Sequence, residues 1–245
     1  MSTYCISDIH GKFKAFMQML DKINFDKNKD KLYVLGDMID WGEGSIDTVK
    51  YCMGNQDFIT TLTGNHEFMM LQFLKEKPNK GRLDYHPWIK HNDGKSTLRQ
   101  LNKCSEDMRK KIIDWLGKLS FYKEVEIGAQ KFYLTHSYPL ESTGNIEEDY
   151  ETMVWRRVVG AENPLKRLGI TDTILIAGHT PTKYEYYYPD ADNEPFSIYQ
   201  DLKNQKIMID CAAKIMGNPN FTQNTTARLG CLRLDDLHEF YIKNP

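Results

Sequence analysis

The sequence predicts an α/β protein. Short apolar runs rich in β-branched and aromatic residues alternate with helical patterns. The first third reads strand, helix, strand, helix, strand, and motifs bearing glycine with aspartate or histidine stand just past several strand ends. A β-α-β-α-β start implies a mainly parallel sheet covered by helices. The last third is strand-rich with short turns, which predicts a second, more antiparallel sheet.

Tyr4-Cys5-Ile6 reads as the first strand. Phe13, Phe16, Met17, Leu20 and Ile23 then recur at helical spacing. Residues 31–35 form the second strand, and Ile46, Val49 and Met53 mark the next helix. Residues 58–62 form the third strand and 66–75 the third helix. Residues 78–103 are polar, contain glycine and break the alternation. They read as an insertion or cap on a single domain spanning 1–245, with Trp88, Ile89, His91, Asn92, Asp93 and Gly94 in a polar loop that either covers a site or is a surface excursion. Ser105 is the expected N-cap of a helix whose face carries Met108, Ile112, Leu116 and Leu119. Strands follow at 131–135, Thr173–Ala177, 206–209, 229–234 and 239–242. The acidic run Glu147-Glu148-Asp149-Tyr150-Glu151 reads as a solvated face, and the tyrosine-rich stretch 184–188 as strand packing.

The bulk numbers narrow the function. A chain of 245 residues can bury a large core. Its net charge of −2 supplies no global attraction for nucleic acid. No apolar run is long enough to span a bilayer, and the N-terminus lacks the basic and apolar regions of a signal peptide, so a cytoplasmic protein is expected. Cys5, Cys52, Cys104, Cys211 and Cys231 are scattered and never spaced as CxxC. They predict inert packing thiols, with neither a disulfide framework nor a structural zinc site.

Five motifs carry the chemistry: Ser7-Asp8-Ile9-His10-Gly11, Gly36-Asp37-Met38-Ile39-Asp40, Gly64-Asn65-His66-Glu67, Thr135-His136 and Gly178-His179-Thr180. All follow predicted strands, and in an open α/β sheet ligands bind outside the carboxyl ends of the strands. Asp8, His10, Asp37, Asn65, His136 and His179 offer three imidazoles, two carboxylates and an amide oxygen. This mixed set suits divalent manganese, iron, zinc or cobalt. Six ligands are too many for one catalytic ion with open positions, and about right for two ions sharing a carboxylate. Two ions roughly 3.5–4 Å apart can clamp both oxygens of an in-line phosphoryl displacement. Each motif alone fits a turn, a helix cap or a buried structural histidine. Four of the seven histidines falling at strand ends beside acids or glycines is the joint pattern that points to a site. His86, His91 and His238 lack that context and are expected at the surface.

In this order, Asp-x-His-Gly, Gly-Asp-x-x-Asp, Gly-Asn-His-Glu, a strand-end histidine and Gly-His-Thr resemble the calcineurin-like metallophosphoesterases. Gly-Asn-His-Glu points to the phosphoprotein phosphatase branch, with its small bacterial and phage serine/threonine phosphatases and diadenosine tetraphosphate hydrolases. The resemblance runs from Tyr4 to Tyr241 and includes the tail Ile209-Asp210-Cys211-Ala212 with Arg228-Leu229-Gly230-Cys231-Leu232-Arg233-Leu234. It implies a four-layer αββα sandwich of two mixed sheets flanked by helices. It also implies two divalent ions, manganese first and iron, zinc, nickel or cobalt as alternatives. Asp8 and His10 would hold one ion, Asn65, His136 and His179 the other, and Asp37 would bridge. Hydroxide held between the ions would attack phosphorus directly, His66 would protonate the leaving group, and Asp40 would hold the His66 ring. Trp155-Arg156-Arg157 resembles the segment that supplies a phosphate-gripping arginine; Arg157 is the stronger candidate, and Arg156 could instead form a surface salt bridge.

One departure bears on substrate. The family commonly reads Asp-Arg-Gly where this chain has Asp40-Trp41-Gly42. Tryptophan cannot make a charged bidentate pair; Trp41 could stack on a nucleobase, line an apolar wall or simply pack. The first expectation is therefore a serine/threonine protein phosphatase-like enzyme acting on a phosphorylated protein. The alternatives are a dinucleoside polyphosphate or other nucleotide hydrolase, a phosphodiesterase, and a metal-binding scaffold without chemistry.

Overall fold

The computed structural model describes residues 1–76, 86–182, 196–221 and 225–243. The first half runs β1 (Thr3–Ile6), α1 (Phe13–Lys22), β2 (Lys31–Val34), α2 (Ser45–Gly54), β3 (Ile59–Thr61), α3 (Asn65–Glu76), α4 (Pro87–His91), α5 (Gly94–Asn102) and α6 (Glu106–Leu116). The second half runs β4 (Tyr122–Ile127), β5 (Gln130–Thr135), α7 (Ile146–Trp155), α8 (Pro164–Arg167), β6 (Thr173–Ala177), β7 (Tyr199–Asp201), β8 (Lys206–Met208), β9 (Arg228–Arg233) and β10 (His238–Lys243).

Two mixed five-stranded sheets result, flanked by helices. The first has the order β10-β9-β1-β2-β3 and the second β4-β5-β6-β8-β7. β1, β2 and β3 are mutually parallel, as are β5, β6 and β8. Hence the carboxyl ends within each parallel set lie on one side. The main core joins Cys5, Ile6 and Leu232 of the first sheet to Phe132, Leu134, Ile176 and Ile207 of the second. The alternate residues Tyr133, Leu175, Ala177 and Met208 pack outward with Val158 and Leu165. Period-two alternation thus gives the second sheet two apolar faces, and both are covered. The helices follow their apolar stripes: α1 buries Ala15, Phe16, Met19 and Leu20, and α6 buries Ile112 and Leu116. Ser105 caps α6, its Oγ accepting from the Met108 N–H at 3.3 Å. Cys5, Cys52, Cys211 and Cys231 are buried, Cys104 is half-buried, and all five thiols are free.

The structure differs from the sequence reading in three places. β9 and β10 do not build a separate antiparallel sheet; β9 returns to pair antiparallel with β1. β4 and β7 are additional edge strands. The expected polar loop is the helical pair α4 and α5, with Trp88, Ile89, Thr97 and Leu101 buried. The acidic run is a solvated face as expected, with Glu147, Glu148 and Glu151 exposed; it lies in α7, whose N-cap Asn145 accepts from the Glu147 N–H at 3.2 Å. Its acids occupy the first turn, where the helix dipole favours negative charge, and Asp149 is buried, accepting from the Thr143 N–H at 2.7 Å. The tyrosine stretch 184–188 lies outside the described residues. Among the described residues no helix is long and apolar enough to cross a membrane.

Candidate active site

The loops after β1, β2, β3, β5 and β6 converge. Backbone bonds lock neighbouring loops together: the His10 N–H donates to the Asp37 carbonyl at 2.9 Å and the Gly178 N–H to the His136 carbonyl at 2.9 Å. The His179 N–H donates to Asp8 Oδ2 at 3.0 Å, which ties the two sheets. A Cβ on Gly178 would lie 2.1 Å from that same Oδ2, so only glycine permits this approach. Asp8, His10, Asp37, Asp40, Trp41 and His179 all hold positive φ between 46° and 69°. Each such residue costs on the order of 1 kcal/mol or more, and backbone strain of this kind collects at functional sites.

Asp37 is shared between two clusters. Its Oδ2 lies 3.6 Å from His10 Nε2 and 3.7 Å from His66 Nε2, while its Oδ1 lies 3.5 Å from His136 Nε2. His10, Asp37 and His66 form one group whose candidate ligand atoms lie within 4.8 Å of one another, and Asp37, His136 and His179 form the other. Asp8 Oδ1 stands 3.8 Å from His10 Nε2. Asn65 Oδ1 lies 2.9 Å from His136 Nε2 and 3.0 Å from His179 Nδ1. All these side chains are buried.

The donor set fits divalent cations. His136 Nδ1 lies 2.8 Å from the Leu35 carbonyl and His10 Nδ1 lies 3.1 Å from the Ile39 carbonyl. Each Nδ1–H therefore donates to a carbonyl, which leaves Nε2 of each ring directed at the cluster. His136 Nε2 faces the Asn65 oxygen at 2.9 Å, and both are atoms that a divalent cation takes as ligands. Burial, assisted by the neighbouring His66, pushes the His10 imidazole well below its usual pKa. Burial, assisted by His136, does the same to His179. Both rings are thereby neutral and ligand-competent. Burial pushes the Asp37 carboxyl well above the usual carboxylate range, with His66 opposing the shift and Asp8 and Glu67 adding to it.

His66 behaves differently. Burial acts to lower its pKa, but the Asp37 and Asp40 carboxylates outweigh it and the net shift is upward. Its Nδ1 donates to Asp40 Oδ2 at 2.6 Å. Its Nε2 lies 3.7 Å from Asp37 Oδ2 and faces the first cluster.

The remaining candidates divide. Arg157 reaches the rim, donating from Nη1 to Thr180 Oγ1 at 2.9 Å and to the His179 carbonyl at 3.3 Å. Arg156 is not brought to the cluster: Nη1 pairs with Glu141 at 2.7 Å and the guanidinium lies 4.0 Å over the Tyr138 ring. That is the salt-bridge alternative for Arg156. Trp41 packs edge-on to Phe221 with centroids 6.2 Å apart, and its Nε1 is buried without an acceptor among the described residues. Sequence reasoning missed four contributors. Glu67 accepts backbone N–H groups from the loops of Asp37 and Gly64. Trp88 and Thr97 donate to Asp40. Asp210 is buried and pushed up to about 7 by desolvation and the nearby Asp8. Glu67 stood in plain view in the Gly-Asn-His-Glu motif; Thr97 had no signal.

The profile of the calcineurin-like phosphoesterases matches residues 1–203. The chain belongs to that family. Curated relatives include the symmetrical bis(5'-nucleosyl)-tetraphosphatase of Buchnera aphidicola subsp. Acyrthosiphon pisum (strain Tuc7), 30% identical over 137 residues, which are 56% of this chain and 44% of the relative. The enzyme of the same name from Paracidovorax citrulli (strain AAC00-1) is 26% identical over 67% of this chain and 54% of its own length. The chain thus spans about half the length of the curated relatives it matches. Among solved structures, a metallophosphoesterase from Sphaerobacter thermophilus aligns over all of this chain and 90% of its own, with a TM-score of 0.58 and 15% identity. A cold-active protein-tyrosine phosphatase of a Shewanella species aligns over 99% and 80%, with a TM-score of 0.57 and 14% identity. At such identities the likeness speaks for the calcineurin-like fold alone.

Proposed function

We propose that this chain is a metal-dependent phosphoric ester hydrolase whose substrate class is the small nucleotides, dinucleoside polyphosphates first. The observation that carries the hydrolase reading is Asp37, whose two carboxylate oxygens face two separate histidine clusters. Asp8, His10 and Asp37 would hold one divalent ion, manganese being the first to try. Asp37, Asn65, His136 and His179 would hold the second. When bound, such a pair supplies an activated water and neutralises phosphate charge. Arg157 at the rim is placed to exchange its Thr180 bond for a phosphate oxygen. His66, held by Asp40, delivers its Nε2 proton to the departing oxygen as the phosphorus–oxygen bond breaks. The nucleotide class is supported by the names of the curated relatives and by Trp41 in place of an arginine; it replaces the phosphoprotein expected first.

The test is a substrate panel on metal-stripped protein re-supplied with manganese, cobalt, nickel, zinc or magnesium. Diadenosine tetraphosphate is expected to turn over with a kcat/KM at least about tenfold above that for a phosphoserine peptide, a difference of roughly 1.4 kcal/mol. The reverse order would restore the protein phosphatase reading, and no turnover with any ion would remove the hydrolase reading. Trp41→Arg is expected to move the chain toward monoesters. One charge-assisted pair is worth about 1.5–3 kcal/mol, so KM for 4-nitrophenyl phosphate should fall by roughly tenfold or more. An unchanged KM would show that Trp41 does not occupy a phosphate-binding position.

A further inference from the structure

The helical pair α4 and α5 stands beside the dyad of His66 and Asp40. Asp40 is fully buried, and both of its carboxylate oxygens are engaged. Oδ2 accepts from His66 Nδ1 at 2.6 Å and from Trp88 Nε1 at 2.7 Å. Oδ1 accepts from the Thr97 hydroxyl at 2.5 Å. The Thr97 oxygen in turn accepts from the Asp40 N–H at 3.0 Å. One threonine therefore grips both the backbone and the side chain of Asp40.

The two donors are seated by their own surroundings. Pro87 opens α4, and His86 caps it, accepting from the Trp88 N–H at 3.3 Å. Phe73 of α3 packs on the indole with centroids 5.1 Å apart. A Cβ on Gly94 would lie 2.5 Å from indole carbons, so α5 begins in direct contact with Trp88. Gln100 fixes α5 to the turn carrying Asp40: its Nε2 donates to the Gly42 carbonyl at 3.0 Å, and its Oε1 accepts from the Ile46 N–H at 3.2 Å.

We infer that α4 and α5 form a positioning brace for the proton donor: Trp88 and Thr97 hold the Asp40 carboxylate in the one orientation that aims His66 at the leaving group. A carboxylate hydrogen-bonded only to His66 can rotate and swing the imidazole with it. With Oδ1 tied to Thr97 and Oδ2 tied to Trp88, rotation breaks two further bonds. Reaction geometry is sensitive to displacements of about 1 Å, and a supporting layer of hydrogen bonds is what fixes such a side chain. Both side chains are fully buried and act through Asp40. The inference rests on the hydrolase reading for its kinetics but not for its structural arm.

Leaving groups distinguish this role from general scaffolding. A weakly basic leaving group such as 4-nitrophenolate departs without a proton, whereas phenolate needs one. Thr97→Val, Thr97→Ser and Trp88→Phe are compared with the unaltered protein in manganese, using 4-nitrophenyl phosphate and phenyl phosphate, with thermal melts confirming folding. The ratio of phenyl to 4-nitrophenyl turnover is expected to fall about tenfold in Thr97→Val and Trp88→Phe, a partial loss of the roughly 10²–10⁴-fold that a general acid contributes. Thr97→Ser should restore the ratio. Equal losses on both esters, or no loss, would overturn the brace. If the unaltered protein hydrolyses neither ester, the hydrolase reading is judged by the nucleotide panel, and nuclear magnetic resonance of the metal-free, 15N-histidine-labelled protein decides the brace alone. The His66 Nδ1–H is then expected downfield and slow to exchange, displaced by Thr97→Val and restored by Thr97→Ser. A resonance identical in all four proteins would overturn it.

Discussion

Replacing Asp37 with asparagine is expected to make the metal-free protein more stable and to abolish most of its response to manganese. The change keeps size and shape, and the new Oδ1 still accepts the His66 N–H that Asp37 accepts at 3.0 Å. What disappears is a buried charge. Burial raises the Asp37 carboxyl well above its ordinary value of 3.8; His66 opposes the shift, and Asp8 and Glu67 add to it. A carboxyl raised on folding contributes stability that is fully present below 3.8 and is lost as pH rises through its native value. At neutral pH the metal-free protein therefore carries a penalty that asparagine lacks, and the melting gap between the two should widen as pH rises from about 4. Manganese reverses the order. An ion at a hundred times its dissociation constant stabilises by about 2.7 kcal/mol, or roughly 5–10 °C for a chain of this size. The variant, without a charged bridge, should gain well under half of that, bind one ion where the parent binds two, and lose turnover. Melts in chelator and in manganese, with ion counts by mass spectrometry, are the measurement. A variant that melts below the parent in chelator and gains as much from manganese would show that Asp37 bridges nothing.

Asp37 was also among the easiest residues to read from sequence, for a physical reason. The ligand candidates stand immediately after strands of strong apolar character, and parallel strands deliver their carboxyl ends to one place. Order along the chain therefore translated into proximity in space for Asp8, His10, Asp37, Asn65, His136 and His179. The edge strands were harder. In β4 the side chains of Tyr122, Lys123 and Glu124 are all exposed, so no apolar alternation announced the strand. β7 has three residues, too few for a period. The pair α4 and α5 was hidden because Asn92-Asp93-Gly94 splits its pattern into pieces of five and nine residues. Trp88 looked like a loop anchor since nothing local shows that its indole N–H ends on Asp40, 48 positions away. Arg156 and Arg157 are adjacent in sequence and face opposite partners, a division set by Glu141 and Thr180 rather than by the arginines themselves.

Glu67 supplies the second large effect, and it arises from hydrogen bonds alone. The side chain is fully buried on α3. Oε2 accepts from the N–H groups of Asp37 at 2.8 Å and Gly64 at 2.9 Å, and Oε1 from those of Met38 at 2.8 Å and Ile39 at 3.3 Å. One carboxylate thus satisfies four main-chain donors in two loops that carry candidate ligands. The two loops approach closely: a Cβ on Gly64 would lie 2.2 Å from Asp37 Oδ1. Glu67→Gln preserves volume, so no cavity forms. Its amide nitrogen, however, must point at one pair of donors and can accept neither. Leaving two buried N–H groups unmatched costs about 1–3 kcal/mol each, and a drop of roughly 5–15 °C in Tm is expected in metal-free protein. The Asp37 loop should also shift away from the other ligands, weakening manganese binding by about 10–100-fold, the usual consequence of removing an outer hydrogen bond to a metal site. Thermal melts and calorimetric titration measure the two effects. A Glu67→Gln protein that melts with the parent and binds manganese equally well would mean that the loops hold their own shape, and that the carboxylate merely occupies the space between them.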